Sequence, residues 1–177
     1  MSVFLQPIYT QTVGSGGASS ITFNNIPQTF TDLKLVVSSR CDGATVDILG
    51  AIRFNGDSAN NYSDTNIYGN GSSAQSGRHS TNSFVYAIET NGTSATSSTF
   101  GNNELYLPNY TGSNYKQFIN DSVAETNASS TNSGNNLLSG LWRSTAAITS
   151  MTVFPGGGYN FVQYSTFSLY GVLRQGI

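Results

Sequence analysis

The sequence predicts an all-β fold, an antiparallel sandwich or barrel of roughly eight to ten strands. Apolar residues recur at every second position, which is the period of a strand with one buried face. The runs are short and are broken by Gly, Asn and Pro, the punctuation of sandwiches and barrels. Helical spacing, with apolar residues three and four apart, is scarce.

Taken in order, the chain begins with MSVFLQPIYTQT, whose apolar residues Phe4, Leu5, Ile8 and Tyr9 are offered to a partner. The next stretch, VGSGGASS at Val13–Ser20, is a flexible linker by composition. The expected organisation is therefore an N-terminal arm, residues 1–13, followed by one domain, residues 14–177. SITF at Ser20 opens that domain, and in DLKLVVS the residues Leu33, Leu35 and Val37 fall on one side. Val46, Ile48, Ile52 and Phe54 continue the pattern up to Asn55-Gly56, a strong turn signal because both residues accept positive φ. Phe84, Tyr86 and Ile88 are expected to share a face before a second Asn-Gly at Asn91. Leu105 and Leu107 alternate up to Pro108, which cannot donate to a ladder and marks a strand end. YKQFINDSVAE, NLLSGLWRS, ITSMTVFP and STFSLYGVL follow, the last with Phe167, Leu169 and Gly171 facing opposite to Ser168, Tyr170 and Val172. Gly69–Asn82 and Asn127–Asn136 have no apolar anchor and read as exposed loops.

A chain of 177 residues is long enough for one core without staples. Charged residues make up 9% of it, against about 25% in ordinary soluble domains, so Asn, Ser, Thr and Gly must cover most of the surface. A net charge of -2 with seven scattered Lys and Arg offers no patch for a phosphate backbone or an anionic membrane. Nucleic-acid and membrane partners are therefore not expected. Neither a secretory leader nor a long apolar span is legible, and Cys41 is the one cysteine, so no internal disulfide can form. Asn-x-Ser/Thr sequons recur about as often as this composition supplies by chance. An uncharged surface suits contact through shape and apolar area, and strand edges with so few charges need cover from another chain or from the arm.

The chemistry-bearing residues are few, and no catalytic, cofactor or metal site is expected. His79 is the lone histidine, in a polar stretch with nothing apolar to build a water-excluding wall. The carboxylates Asp32, Asp42, Asp47, Asp57, Asp64, Glu89, Glu104, Asp121 and Glu125 show no spacing that pairs two of them across a cleft. Asp57, Asn60, Asn61 and Asp64 could hold a calcium ion, but the spacing departs from an EF-hand loop and an Asx-rich turn explains them. Gly156–Gly158 lacks the lysine of a phosphate cradle. Tyr62, Tyr68, Tyr106, Tyr110, Tyr115 and Tyr159, in or near turns, could stack on sugars, line the rim of a sandwich or sit in a protein interface.

Three stretches go further: SSITFNNIPQTFTDLKLVVSSR (Ser19–Arg40), IRFNGDSANNYS (Ile52–Ser63) and the ending from Ala146 to Ile177 with its STFSLYG run. Together, over about half of the chain, they resemble small virion proteins of tailed bacteriophages, notably those infecting cyanobacteria. The middle, Gly69–Asn136, carries no such match. The resemblance implies a non-enzymatic structural protein with a jelly-roll sandwich, frequently trimeric. It is either a capsid decoration (cement) protein on the capsid surface or a tail-fibre module that recognises host-surface glycans. The short chain, without coiled-coil or collagen-like attachment segments, favours cement: a homotrimer bound to the major capsid protein, with Phe4, Leu5, Ile8 and Tyr9 in the contact.

Overall fold

A computed structural model describes residues 3–127 and 134–174. The chain is an all-β sandwich, and among the described residues there are twelve strands and no α-helix, hence no helix long and apolar enough to cross a membrane. The strands are β1 (Val3–Thr12), β2 (Ile21–Phe23), β3 (Asp32–Ser39), β4 (Asp47–Phe54), β5 (Tyr62–Gly69) and β6 (Ala74–Asn82). They continue with β7 (Val85–Asn91), β8 (Gly101–Pro108), β9 (Lys116–Ala124), β10 (Gly134–Trp142), β11 (Met151–Pro155) and β12 (Thr166–Arg174).

One sheet has the order β1-β12-β3-β8-β9-β10-β5-β6 and the other β2-β11-β4-β7, with every paired strand antiparallel. Without β5, β6, β9 and β10 this reduces to β1-β12-β3-β8 on β2-β11-β4-β7, the strand order of an eight-stranded jelly roll. The four additional strands extend the larger sheet beyond β8 and curl over β7, the margin of the smaller one.

Between the sheets lie Leu33, Leu35 and Val37 of β3, Leu105 and Leu107 of β8, and Phe167 and Leu169 of β12, all on the faces their alternation requires. Asn55 and Gly56 both adopt positive φ, and Asp57 N donates to Phe54 O to close the turn. Gly171 faces inward because the ring of Phe30 lies on it: a β-carbon there would meet Phe30 Cγ at 2.3 Å. Gly171→Ala is therefore expected to cost about 1–3 kcal/mol through overpacking, read as a lower urea midpoint with an unchanged slope.

Several expectations are corrected. Ala74–Asn82 is not a loop but the margin strand β6, and β10 takes in residues 134–136 of the other tract; residues 128–133 lie outside those described. β6 has neither face in the core and holds its place through its ladder with β5, which needs no apolar side chain. On β7, Val85 and Ala87 point into the core while Tyr86 packs outside against Phe84, just before the strand, which in turn meets Phe154. The register of β4 with β7 shifts between Gly50 and Ala51, which breaks simple alternation and brings Ile88 inside as well. Residues 3–12, expected to be an arm, pair along β12 of their own chain. Val13–Ser20 is tied at both ends, by Val13 N to Ser165 O at 2.8 Å and Ala18 N to Phe161 O at 2.9 Å.

Candidate functional site

Inside the sandwich the overhang alternates in an unusual sense. In β5 the inward positions are Tyr62, Asp64 and Asn66; in β9 they are Lys116, Phe118, Asn120, Ser122 and Ala124; in β10 they are Asn136, Leu138, Gly140 and Trp142. Polar groups accumulate there because β7, at the margin of the small sheet, presents backbone groups that no neighbouring strand takes up. Side-chain amides from the large sheet meet them. Asn103 accepts from Glu89 N at 2.7 Å and donates to Glu89 O at 2.9 Å, while Asn120 Nδ2 donates to Ala87 O. The low charge predicts edges covered by another chain or by the arm; the margin of β7 is instead covered from within, by neutral amides.

Past this seam the overhang leaves a cleft of about 430 Å³ lined by Asp47, Leu49, Asn66, Tyr68, His79, Glu89 and Asn136, together with neighbouring backbone. Leu49 stands opposite Glu89 in the β4–β7 ladder and Asp47 opposite Asn91, so two acids 42 positions apart come to one place. Glu89 is 4% exposed. Its Oε1 accepts from Asn136 Nδ2 at 3.2 Å, while Oε2 has no donor among the described residues. Burial pushes its carboxyl up to about 7, with Asn136 opposing and the negative charge of Asp47 assisting. Asp47 is pushed up by its own burial. Asn66 Nδ2 donates to Asn136 Oδ1 at 3.3 Å, leaving Asn66 Oδ1 buried and without a donor as well.

In the wall of the cleft, His79 holds its Nδ1 2.8 Å from Asp64 Oδ1, with the Asp64 side chain buried and the imidazole half-exposed. The sequence does not announce this pair, because a stretch without apolar residues such as β6 reads as a loop. Burial raises the Asp64 carboxyl, and the contact with His79 opposes that rise. This is the histidine–carboxylate half of a catalytic triad, but no serine, threonine or cysteine among the described residues bonds the other ring nitrogen. Cys41 is fully buried beside Phe161, its thiol raised by burial, and takes no part.

Asp57 and Asp64, weighed as cation ligands, serve separate purposes. Asp57 accepts from Ala59 N at 3.0 Å, Asn61 Nδ2 at 2.9 Å and Trp142 Nε1 at 2.7 Å, which makes the loop an Asx-type turn clamped to the core. Among the described residues no three His, Cys, Asp or Glu side chains converge as a metal site. Of the tyrosines considered for sugar stacking, Tyr62 and Tyr110 are wholly buried, and the Tyr106 hydroxyl donates to Asp32. Tyr62 Oη accepts from Phe54 N at 2.9 Å. Tyr115 and Tyr159 are exposed, and Tyr68 walls the cleft.

The opposite face of the overhang is apolar. Ile67 (59% exposed), Ile119 (54%), Leu137 (49%) and Val123 (38%) point outward from β5, β9 and β10. Leu137 pairs directly with Ile67, and its other neighbour is Asp121, next to Ile119 and Val123 on that face of β9. A groove of about 400 Å³ runs alongside, lined by Ile119, Leu141, Tyr106, Pro108 and Arg78 among others. The residues named at the start as partner contacts divide: Phe4 and Leu5 are exposed on margin strand β1, whereas Ile8, at a bulge, packs against the core. Tyr9 stacks on Phe23 at 6.0 Å and donates to Asn24 O at 2.7 Å. Comparison with family models, with curated proteins and with solved structures returns no match.

Proposed function

We propose that this chain is a non-enzymatic virion structural protein of a tailed bacteriophage, a decoration protein that stabilises the head shell by bridging subunits of the major capsid protein. The reading rests on the resemblance of Ser19–Arg40, Ile52–Ser63 and the C-terminal segment to such proteins, and on a jelly-roll order typical of capsid building blocks. The observation that carries it is the outward apolar face of the overhang. Isoleucine, leucine and valine occupy solvent positions there while amides occupy the interior, an inversion that stability of the isolated chain does not call for. Such a face gains by burial against a larger particle, and its low charge makes the contact tolerant of salt. The free margin of β1, with Phe4 and Leu5 exposed, offers a second strip to sister copies in a homotrimer.

Replacing Ile67 and Leu137 together by lysine leaves the fold intact, since both are exposed, and is expected to weaken association with head shells assembled without this protein by about tenfold or more. Co-sedimentation with such shells measures this, and sedimentation velocity reads the trimer. Undiminished shell binding by the double variant would remove the face from the argument. Imaging that places the protein on the tail alone would remove the decoration role itself.

A further inference from the structure

Asn-Gly pairs stand at Asn55, Asn70 and Asn91, and the fold treats them differently. A glycine after asparagine leaves the peptide nitrogen unshielded by a side chain, which opens it to reaction with the neighbouring amide. At Asn55 the amide is tied to another loop. Its Nδ2 donates to Ala147 O at 2.8 Å, and its Oδ1 accepts from Thr149 N at 2.8 Å and Ser150 N at 3.0 Å. Asn91 is wholly buried, its Nδ2 donates to Thr99 Oγ1 at 2.7 Å, and the Gly92 nitrogen donates to Val46 O at 2.9 Å. Both amides are committed to residues elsewhere in the chain. Asn70 is the reverse case. It opens the turn 70–73 between β5 and β6, and its Oδ1 accepts from Ser72 N at 3.1 Å, Ser73 N at 3.0 Å and the Ser72 hydroxyl at 3.0 Å. Such an Asx turn folds the side chain over the intervening Gly71 peptide. Neither Asn70 Nδ2 nor Gly71 N has an acceptor among the described residues. Gly71 itself is exposed, at φ +83°, with open space where a β-carbon would stand.

We propose that Asn70-Gly71 is a self-modification site, at which the folded chain deamidates its own turn without an enzyme. Hydroxide takes the proton of Gly71 N, and that nitrogen attacks Asn70 Cγ to form a new C–N bond. Negative charge develops on Oδ1, where the Ser72 and Ser73 N–H groups already point, as in an oxyanion hole. The Cγ–Nδ2 bond then breaks, and the nitrogen leaves as ammonia after taking a proton from water, which restores the hydroxide. Water opens the resulting succinimide at either carbonyl, giving an aspartyl or an isoaspartyl residue at position 70. In sum, a side-chain amide and a water become a carboxylic acid and ammonia, with no oxidant or reductant. Each event makes the surface one charge more negative, at the rim of the cleft that holds Asp47 and Glu89. The isoaspartyl product also lengthens the backbone of the turn by one carbon, which loosens β6, a strand whose place depends on its ladder with β5. The site concerns the chain itself and does not depend on where in a virion the chain resides.

The test is incubation of the folded full-length chain in mildly alkaline buffer, followed by peptide mapping with mass spectrometry and an isoaspartyl methyltransferase assay. Conversion at Asn70 is expected to run about tenfold or more faster than at Asn55 or Asn91, which react only when the structure around them opens. In denaturing urea the three pairs share the same local chemistry, and the difference is expected to shrink to within about threefold. Gly71→Ala is expected to slow conversion at Asn70 about tenfold, because the added methyl group shields the nitrogen and resists the positive φ. The comparison of the three sites in the wild-type chain decides the matter if that variant does not fold. Absence of conversion at Asn70, or equal conversion at all three sites of the folded chain, overturns the proposal. So does a ranking that persists unchanged in urea, or undiminished conversion in a folded Gly71→Ala variant.

Discussion

Glu89→Gln is expected to stabilise the folded chain at pH 8 by roughly 3 kcal/mol and to flatten its stability between pH 4.5 and about 7. In the folded state burial holds the Glu89 carboxyl near 7, whereas in the unfolded chain it titrates at its ordinary 4.5. Below pH 4.5 both states carry the proton and nothing is lost. Between the two values the unfolded chain releases its proton while the folded chain keeps it, so stability falls as pH rises. Above about 7 the folded chain bears a buried carboxylate and the whole penalty persists. At 1.36 kcal/mol for each pH unit, that interval gives roughly 3 kcal/mol.

Asp47 and Asp64, both raised by burial, add to the same downward slope. Asp42 and Asp57 act in the opposite sense. Asp42 is lowered by Asn160, and at Asp57 the effect of burial is overcome by hydrogen bonds from Asn61, Trp142 and Ala59, so their support is lost only in more acidic solution. Urea midpoints of wild type and Glu89→Gln at pH 5 and pH 8 test this. A variant that is no more stable than wild type at pH 8 would contradict it.

Trp142→Ala is expected to cost about 3–5 kcal/mol, lowering Tm by roughly 6–20 °C for a chain of this size. Trp142 is 1% exposed at the inner end of β10, 5.6 Å from the ring of Phe54 and stacked 6.4 Å from that of Tyr62. Phe118 completes the cluster, edge-on to Phe54 at 5.5 Å. The cluster joins β4 of the small sheet to β5, β9 and β10 of the overhang, so the cavity opens where the two parts of the molecule are held together. The indole N–H also anchors the Asn55–Asn61 turn through Asp57, and Trp142→Phe, which keeps most of the area, isolates that hydrogen bond at about 1–3 kcal/mol. Thermal denaturation of the two variants separates packing from polar anchoring; equal losses would mean that the hydrogen bond carries the whole effect.

Much of the sandwich was legible because its cause is local. Leu33, Leu35 and Val37, then Leu105 and Leu107, then Phe167, Leu169 and Gly171, alternate because each strand buries one face, and Asn55-Gly56 turns because those residues tolerate positive φ. β6 was not legible, because a margin strand with both faces wet is held by backbone pairing that any side chain permits. Nor was the face of β7, where one register shift against β4 undid the reading of Phe84, Tyr86 and Ile88. His79 and Asp64 are 15 positions apart and become partners only through the β5–β6 ladder.

The sequence by itself determined that this chain is all-β, sandwich or barrel, with an almost uncharged surface, since strand period, turn residues and charge content are properties of neighbouring positions. Only the tertiary structure decided where the polar and apolar surplus goes. The larger sheet outgrows the smaller by four strands, and that overhang turns amides inward over Glu89 of β7 while leaving Ile67, Ile119, Val123 and Leu137 outside. Which side of a strand is buried depends on what packs against it, and nothing in Asp47, Glu89 or Asn136 taken singly announces that one cleft will hold all three.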